Sequence, residues 1–253
     1  DGIAKPETSA VIESLDRVLE AEPDHPLALH LYIHALEASN DPGRAEAAAD
    51  RLANLVPGAG HLVHMPSHIY YRVGRYNDAA LANQRAADVD EAYIAACNAQ
   101  GFYPALYYPH NIHFLWSAAT MQGQSALSIE SARRVVANVR VEQVQAFPTV
   151  EFFRTVPLLS LVRFGRWDDI LREPHPHEGF IFAKSVWHYA RGVAYAAKGE
   201  GDLAKGELDA LVPLQDDVSV RFLDSHDYPG SLLVGIAIEL LRGEIAYRSG
   251  SYL

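Results

Sequence analysis

The chain has 253 residues, 49% of them hydrophobic, and one cysteine, Cys97, so it can bury a substantial core but cannot close a disulfide within itself. A formal charge of −11, from 21 basic and 32 acidic residues without a basic run, argues against nucleic acid as a partner. No stretch approaches the ~18 consecutive apolar residues of a membrane span. The start, Asp1 to Ala10, lacks the basic and apolar regions of a signal peptide, and the lone cysteine fits a reducing compartment, so the expected location is the cytoplasm.

Apolar residues recur at helical spacing and strand signals are nearly absent. A helix is expected at 8–21. First helices of successive pairs are expected at 26–39, 60–74, 109–122, 149–164, 179–198 and 230–249, each with a second helix after a turn. The turns share a pattern. Arg-Val-Gly-Arg-Tyr at 72–76 recurs as Arg-Phe-Gly-Arg-Trp at 163–167, with echoes at 197–201 and 248–252. Glycine suits a helix end because it takes the left-handed conformation without penalty, and the aromatic two residues later can pack across the turn. Ala45 to Ala79 and Gly165 to Gly199 are each 34 residues apart.

With Ala79 and Ala86, these turns resemble the tetratricopeptide repeat (TPR) signature over roughly residues 24–253. The resemblance implies an all-α fold, a right-handed superhelix (solenoid) of antiparallel helix hairpins forming a single domain over 1–253. Gly74 to Gly123 is 49 residues and Gly199 to Gly250 is 51, too long for bare repeats. Inserts are therefore expected near 89–109, with Tyr93, Phe102, Tyr103, Tyr107 and Tyr108, and near 212–229, with Asp224, His226 and Asp227. Such inserts are either lids or aromatic fillers between repeats. Gly250-Ser-Tyr252 announces a turn, and Leu253 stops where a partner helix would begin. The expectation is a fragment of a longer chain, with another subunit covering the end as the alternative.

Histidines fall in the same slots of successive repeats. His61 and His64 lie thirteen and ten residues before Gly74, as His110 and His113 do before Gly123. His30 and His34 lie fifteen and eleven before Ala45, as His64 and His68 do before Ala79. Residues three or four apart share one helix face, and neighbouring helix axes run about 8–10 Å apart. Imidazoles from adjacent first helices could thus meet in the concave groove. That arrangement suits a divalent transition metal, zinc, iron or similar. His30, His34, His64 and His68 are the expected ligands, with Glu37 as a fifth ligand or general base. His61, Tyr71, His110 and His113 are expected as outer ligands or contacts to a small molecule or peptide in the groove. Glu37, His61 and His113 are the candidates for catalysis, and whether the chain is an enzyme stays open. The dull alternative is that duplicated repeats inherited a packing histidine. The strings at 25–37 and 61–70 also resemble a group of bacterial TPR-containing proteins, which implies that the histidines are a feature of the group and supplies no reaction.

Elsewhere the signals are weak. His175 and His177 sit in a proline-stiffened connector expected to be solvated, and His188 with Arg191 reads as a helix-surface or groove contact. Cys97 has no basic neighbour to lower its pKa. No phosphate-cradling glycine loop, nucleophile elbow or other cofactor-binding motif is present. The competing function is a non-enzymatic scaffold for proteins or peptides. Scaffolds that hold a peptide carboxylate present Lys, Arg and Asn, whereas these slots carry His, Glu37 and Tyr71.

Overall fold

A computed structural model describes residues 2–99, 101 and 103–251, and no β-strand occurs among them. Phe102 of the first insert, and Tyr252 and Leu253 of the last turn, lie outside the described residues. The chain divides into two compact units, 1–131 and 132–253.

In the first unit, α1 (Thr8–Ala21) leads to α2 (Pro26–Glu37) and α3 (Glu46–Leu52). Then follow α4 (Gly60–His64), α5 (Pro66–Arg72), α6 (Tyr76–Cys97), α7 (Tyr108–Met121) and α8 (Ser125–Asn138), within which the boundary falls. α2 starts on Pro26, whose fixed φ suits a first helical position, and the His25 ring accepts from the Ala28 N–H at 3.3 Å. The helix expected at 60–74 is broken into α4 and α5. Pro66 has no N–H to continue the ladder, and the His68 N–H bonds the Met65 carbonyl at 3.2 Å instead.

The turn glycines behave alike. Gly74, Gly123, Gly165, Gly199 and Gly250 have φ between 65° and 83°. After each, the next N–H reaches back to a carbonyl five residues earlier, as Arg75 does to Tyr70 at 2.8 Å and Arg166 to Leu161 at 2.9 Å. This closes the last helical turn on its own orphan carbonyls.

The core of the first unit runs through Leu29, Tyr32, Ile33 and Leu36 of α2, Ala48, Ala49 and Leu52 of α3, and Ile69 and Tyr70 of α5. Ala45 and Ala79 are fully buried, so the 34-residue alanine spacing marks where helices approach closely. Arg72 ties α5 to α2, donating to the carbonyls of Glu37 and, at 3.1 Å, Ser39. The Glu37 carbonyl is an orphan at the end of α2, and the tie fixes the register of one histidine helix against the other.

The second unit holds α9 (Val141–Ala146), a 3₁₀ stretch at Pro148–Thr155, α10 (Val156–Arg163), α11 (Trp167–Arg172) and α12 (Ile181–Ala197). α13 (Gly201–Leu211), α14 (Val218–Asp224) and α15 (Gly230–Arg248) complete it. Asp224, in the second insert, accepts from the Ser231 N–H at 3.0 Å and so caps α15. His226 is exposed and stacks on Phe222.

Candidate metal centre

α2 buries Leu29, Tyr32, Ile33 and Leu36, and carries His30, His34 and Glu37 on another face. α4 and α5 bring His61, His64 and His68 up beside them, and α7 supplies His110. The rings form a continuous set. Centroids are 4.8 Å apart for His30 and His34, 5.1 Å for His30 and His61, and 5.4 Å for His34 and His68. His64 lies 4.7 Å from His68 and 4.8 Å from His110. Two triads stand out, His30–His34–His61 and His64–His68–His110, each with ligand atoms within 4.8 Å of one another.

Hydrogen bonds fix the tautomers. Glu37 Oε1 is 2.7 Å from His34 Nδ1, and Oε2 contacts His68 Nδ1. A carboxylate only accepts, so both Nδ1 atoms carry the proton. Burial pushes the Glu37 carboxyl up, but donation from His34 and His68 outweighs it and holds the group at about 2. His64 Nδ1 lies 2.6 Å from Asn83 Oδ1, while Asn83 Nδ2 donates to the Ala79 carbonyl at 2.7 Å. The amide orientation is thereby set, and His64 too is protonated on Nδ1.

With both Nδ1 atoms engaged, His64 Nε2 and His68 Nε2 face one another at 2.9 Å. Two acceptors at that distance repel unless a proton or a cation lies between them. Two nitrogens on one ion at bond lengths of about 2.0–2.1 Å are themselves about 3 Å apart. His30 Nε2 and His61 Nε2 lie 3.3 Å apart, and His61 Nδ1 is buried with no hydrogen-bond partner.

Four of the rings are biased toward the neutral form. Burial, then the charges of neighbouring histidines, lowers His61 and His110 to about 4 and His64 well below its ordinary value. His30 is lowered for the same reasons, burial first and then His34 and His68. Neutral imidazole is the form that ligates a metal.

The remaining expected residues lie around the triads. Tyr71 accepts from Ser117 Oγ at 3.0 Å and packs against Tyr76 and Phe114. His113 joins neither triad; its ring packs on Trp116, and burial takes it down to about 3. The first insert does reach the site, with Tyr107 packed on His61 at 5.0 Å and stacked on Tyr103.

Four residues were not singled out from sequence. Phe114 touches His64, His68, His110 and Tyr71. Asn83 and Asp90 sit on the face of α6 that is otherwise alanine, Ala79, Ala82, Ala86 and Ala87. Polar residues in an alanine stripe are a signal that could have been read. Asp90 accepts from Tyr103 and from Asn111, each at 2.7 Å. It also presses on the start of α4, where a Cβ on Gly60 would lie 1.9 Å from Asp90 Oδ1. Only glycine lets α4 approach so closely.

The second unit pairs its polar groups off. His188 and Arg191 both contact Glu207 at 2.7 Å. His175 and His177 are exposed on the connector, against Trp187 and Phe180.

A scan against protein-family models finds no match, and a search of curated proteins finds none either. Among solved structures, the chain is similar to the crystal structure of YrrB, described as a TPR protein with an unusual peptide-binding site. The TM-score is 0.51 at 17% identity, over 82% of this chain and 95% of that one. The fold is thus that of a TPR helical-repeat protein.

Proposed function

We propose that this chain is a binding scaffold of the TPR type whose first unit holds a divalent transition metal on its histidine-lined helices. The observation that carries the metal is the convergence of His64 Nε2 and His68 Nε2 at 2.9 Å within the His64–His68–His110 triad, each ring's Nδ1 being engaged elsewhere. A ligating histidine ordinarily gives its other N–H to a carboxylate or carbonyl oxygen, which fixes the ring. Glu37 and Asn83 stand in that position. On this reading Glu37 orients His34 and His68 and is not itself a ligand, because both its oxygens are engaged.

A peptide occupant is the second reading, favoured by the peptide-binding site of the similar YrrB and by Tyr71, Tyr107 and Phe114 packed around the rings. Nothing in the geometry singles out a reaction.

The test is thermal unfolding of chelator-treated protein without a histidine tag. Tm should rise with zinc or a similar ion at pH 7.5, through mass action on the folded state. The rise should persist at pH 5.5, where His61 and His110 are still neutral in the fold, and shrink only as pH approaches 4. His34→Ala with His68→Ala should abolish it without loss of helical content. Wild type and double variant responding alike to every first-row ion tried would leave the scaffold with a peptide occupant.

A further inference from the structure

We infer that the centre is a two-ion site, with one late first-row divalent ion on His30–His34–His61, a second on His64–His68–His110, and copper bound above zinc. This rests on the metal reading above and deepens it to stoichiometry and metal class.

Each triad is complete by itself, its donor atoms lying within 4.8 Å of one another. Three protein ligands leave a position open on each ion, the pattern of a reactive or exchangeable centre rather than a closed structural one. The donor set is purely imidazole. Glu37 has both oxygens on histidine N–H groups and offers neither to an ion. Hard cations such as magnesium, calcium and manganese seek oxygen, whereas imidazole suits zinc, copper and nickel, and among divalent ions copper binds such sites most tightly.

The two triads are also built as one unit. Glu37 orients His34 of one triad and His68 of the other. Rings of the two triads touch, His34 to His68 at 5.4 Å and His61 to His64 at 6.0 Å between centroids. Ions bound there would be near neighbours, sharing one carboxylate behind their ligands.

The experiment is titration of untagged, chelator-treated protein with copper(II), read by metal analysis after desalting and by electron paramagnetic resonance. Two ions per chain are expected, falling to one in His34→Ala with His61→Ala and to one in His68→Ala with His110→Ala. The one-ion variants should give the sharp signal of an isolated copper ion, and the two-ion wild type a broadened or silent one. A zinc competition should leave copper in place. One ion in wild type, absent from both variants, overturns the two-ion inference and leaves the metal reading standing. Two ions with undisturbed isolated signals, or no loss on removing the first triad, likewise overturn it. No bound ion overturns both. His34 and His61 are not fully buried, so the first variant decides the matter even if the second fails to fold, as circular dichroism would reveal.

Discussion

Glu37 in the first unit and Glu151 in the second are both carboxyl groups held in polar contacts, and they are driven in opposite directions. Glu37 receives His34 and His68 and sits at about 2. Glu151, nearly buried, is pushed up to about 7 by desolvation, which the Ala183 and Phe182 N–H groups at the start of α12 only partly offset. The contrast runs through both units. In the second, polar groups form closed sets such as His188 and Arg191 on Glu207. In the first, His64 and His68 are each anchored through Nδ1 and bring their Nε2 atoms to 2.9 Å of one another. One turn geometry serves both units, so the turn reports the fold, and what lines the first helices decides whether there is a site.

The largest expected consequence is opposite pH dependence. Unfolded histidines titrate near 6.5, whereas in the fold His61 and His110 sit at about 4 and burial holds His64 well below its ordinary value. Between about pH 6.5 and 4 the unfolded chain therefore binds more protons than the folded one. Stability from these rings is complete above about pH 6.5 and drains away as pH falls toward 4. For metal-free protein the loss from pH 7.5 to 5 should be on the order of 3–5 kcal/mol, after discounting partly exposed rings for solvent screening. Urea titrations at the two pH values measure it. A flat profile would mean that the rings are not held neutral.

Glu151 should act the other way. Its folded pKa is raised, so its contribution is complete below about pH 4.5 and is lost as pH climbs through about 7. Glu151→Gln should therefore gain on wild type as pH rises from 5 to 8, by roughly 2–3 kcal/mol. Parallel stability curves for the two proteins would refute this.

Glu37→Gln gives a sharper comparison, because Gln cannot accept from both imidazoles with two oxygens. Loss of an orienting partner behind a ligand typically weakens metal binding by about 10–100-fold. Isothermal titration with copper or zinc should show that loss with helical content unchanged. Equal affinities would return Glu37 to the role of bystander.

What was legible in the sequence was local. The turn glycines, the 34-residue alanine spacing and the histidine offsets are all short-range patterns, and helices arose where those patterns placed them, except that the helix expected at 149–164 is 3₁₀ as far as Thr155. The break at Met65–Pro66 was also written locally, in the missing proline N–H, yet the apolar periodicity of 60–74 ran across it. The roles of Asn83, Asp90, Asn111 and Phe114 were not legible, even where the alanine stripe around Asn83 and Asp90 marked them as unusual. Their meaning lies in partners 13 to 50 positions away, such as Asn83 under His64 or Phe114 against His64 and His68. Glu37 falls between the two cases. Its place beside His34 follows from i,i+3 spacing, but only the packing of α5 on α2 brings His68 to its other oxygen.

That packing supplies the smallest effect. Arg72 of α5 donates to the Glu37 and Ser39 carbonyls, so it holds the end of α2 at the level of His68. Its side chain is solvent-accessible, and each hydrogen bond it makes should contribute about 1 kcal/mol or less. Arg72→Ala should therefore cost only about 1 kcal/mol of global stability. Its effect on the site should be disproportionate, because Glu37 and His68 lose the tie that aligns them. Metal affinity should fall several-fold, while Arg72→Lys, which keeps one donor, should recover part of the loss. The matched control is Lys198→Ala in the second unit, which removes an exposed ion pair with Asp168 and should leave metal binding untouched. If Arg72→Ala costs stability but binds metal as wild type does, α2 and α5 are aligned by their apolar core alone and the arginine tie is incidental to the site.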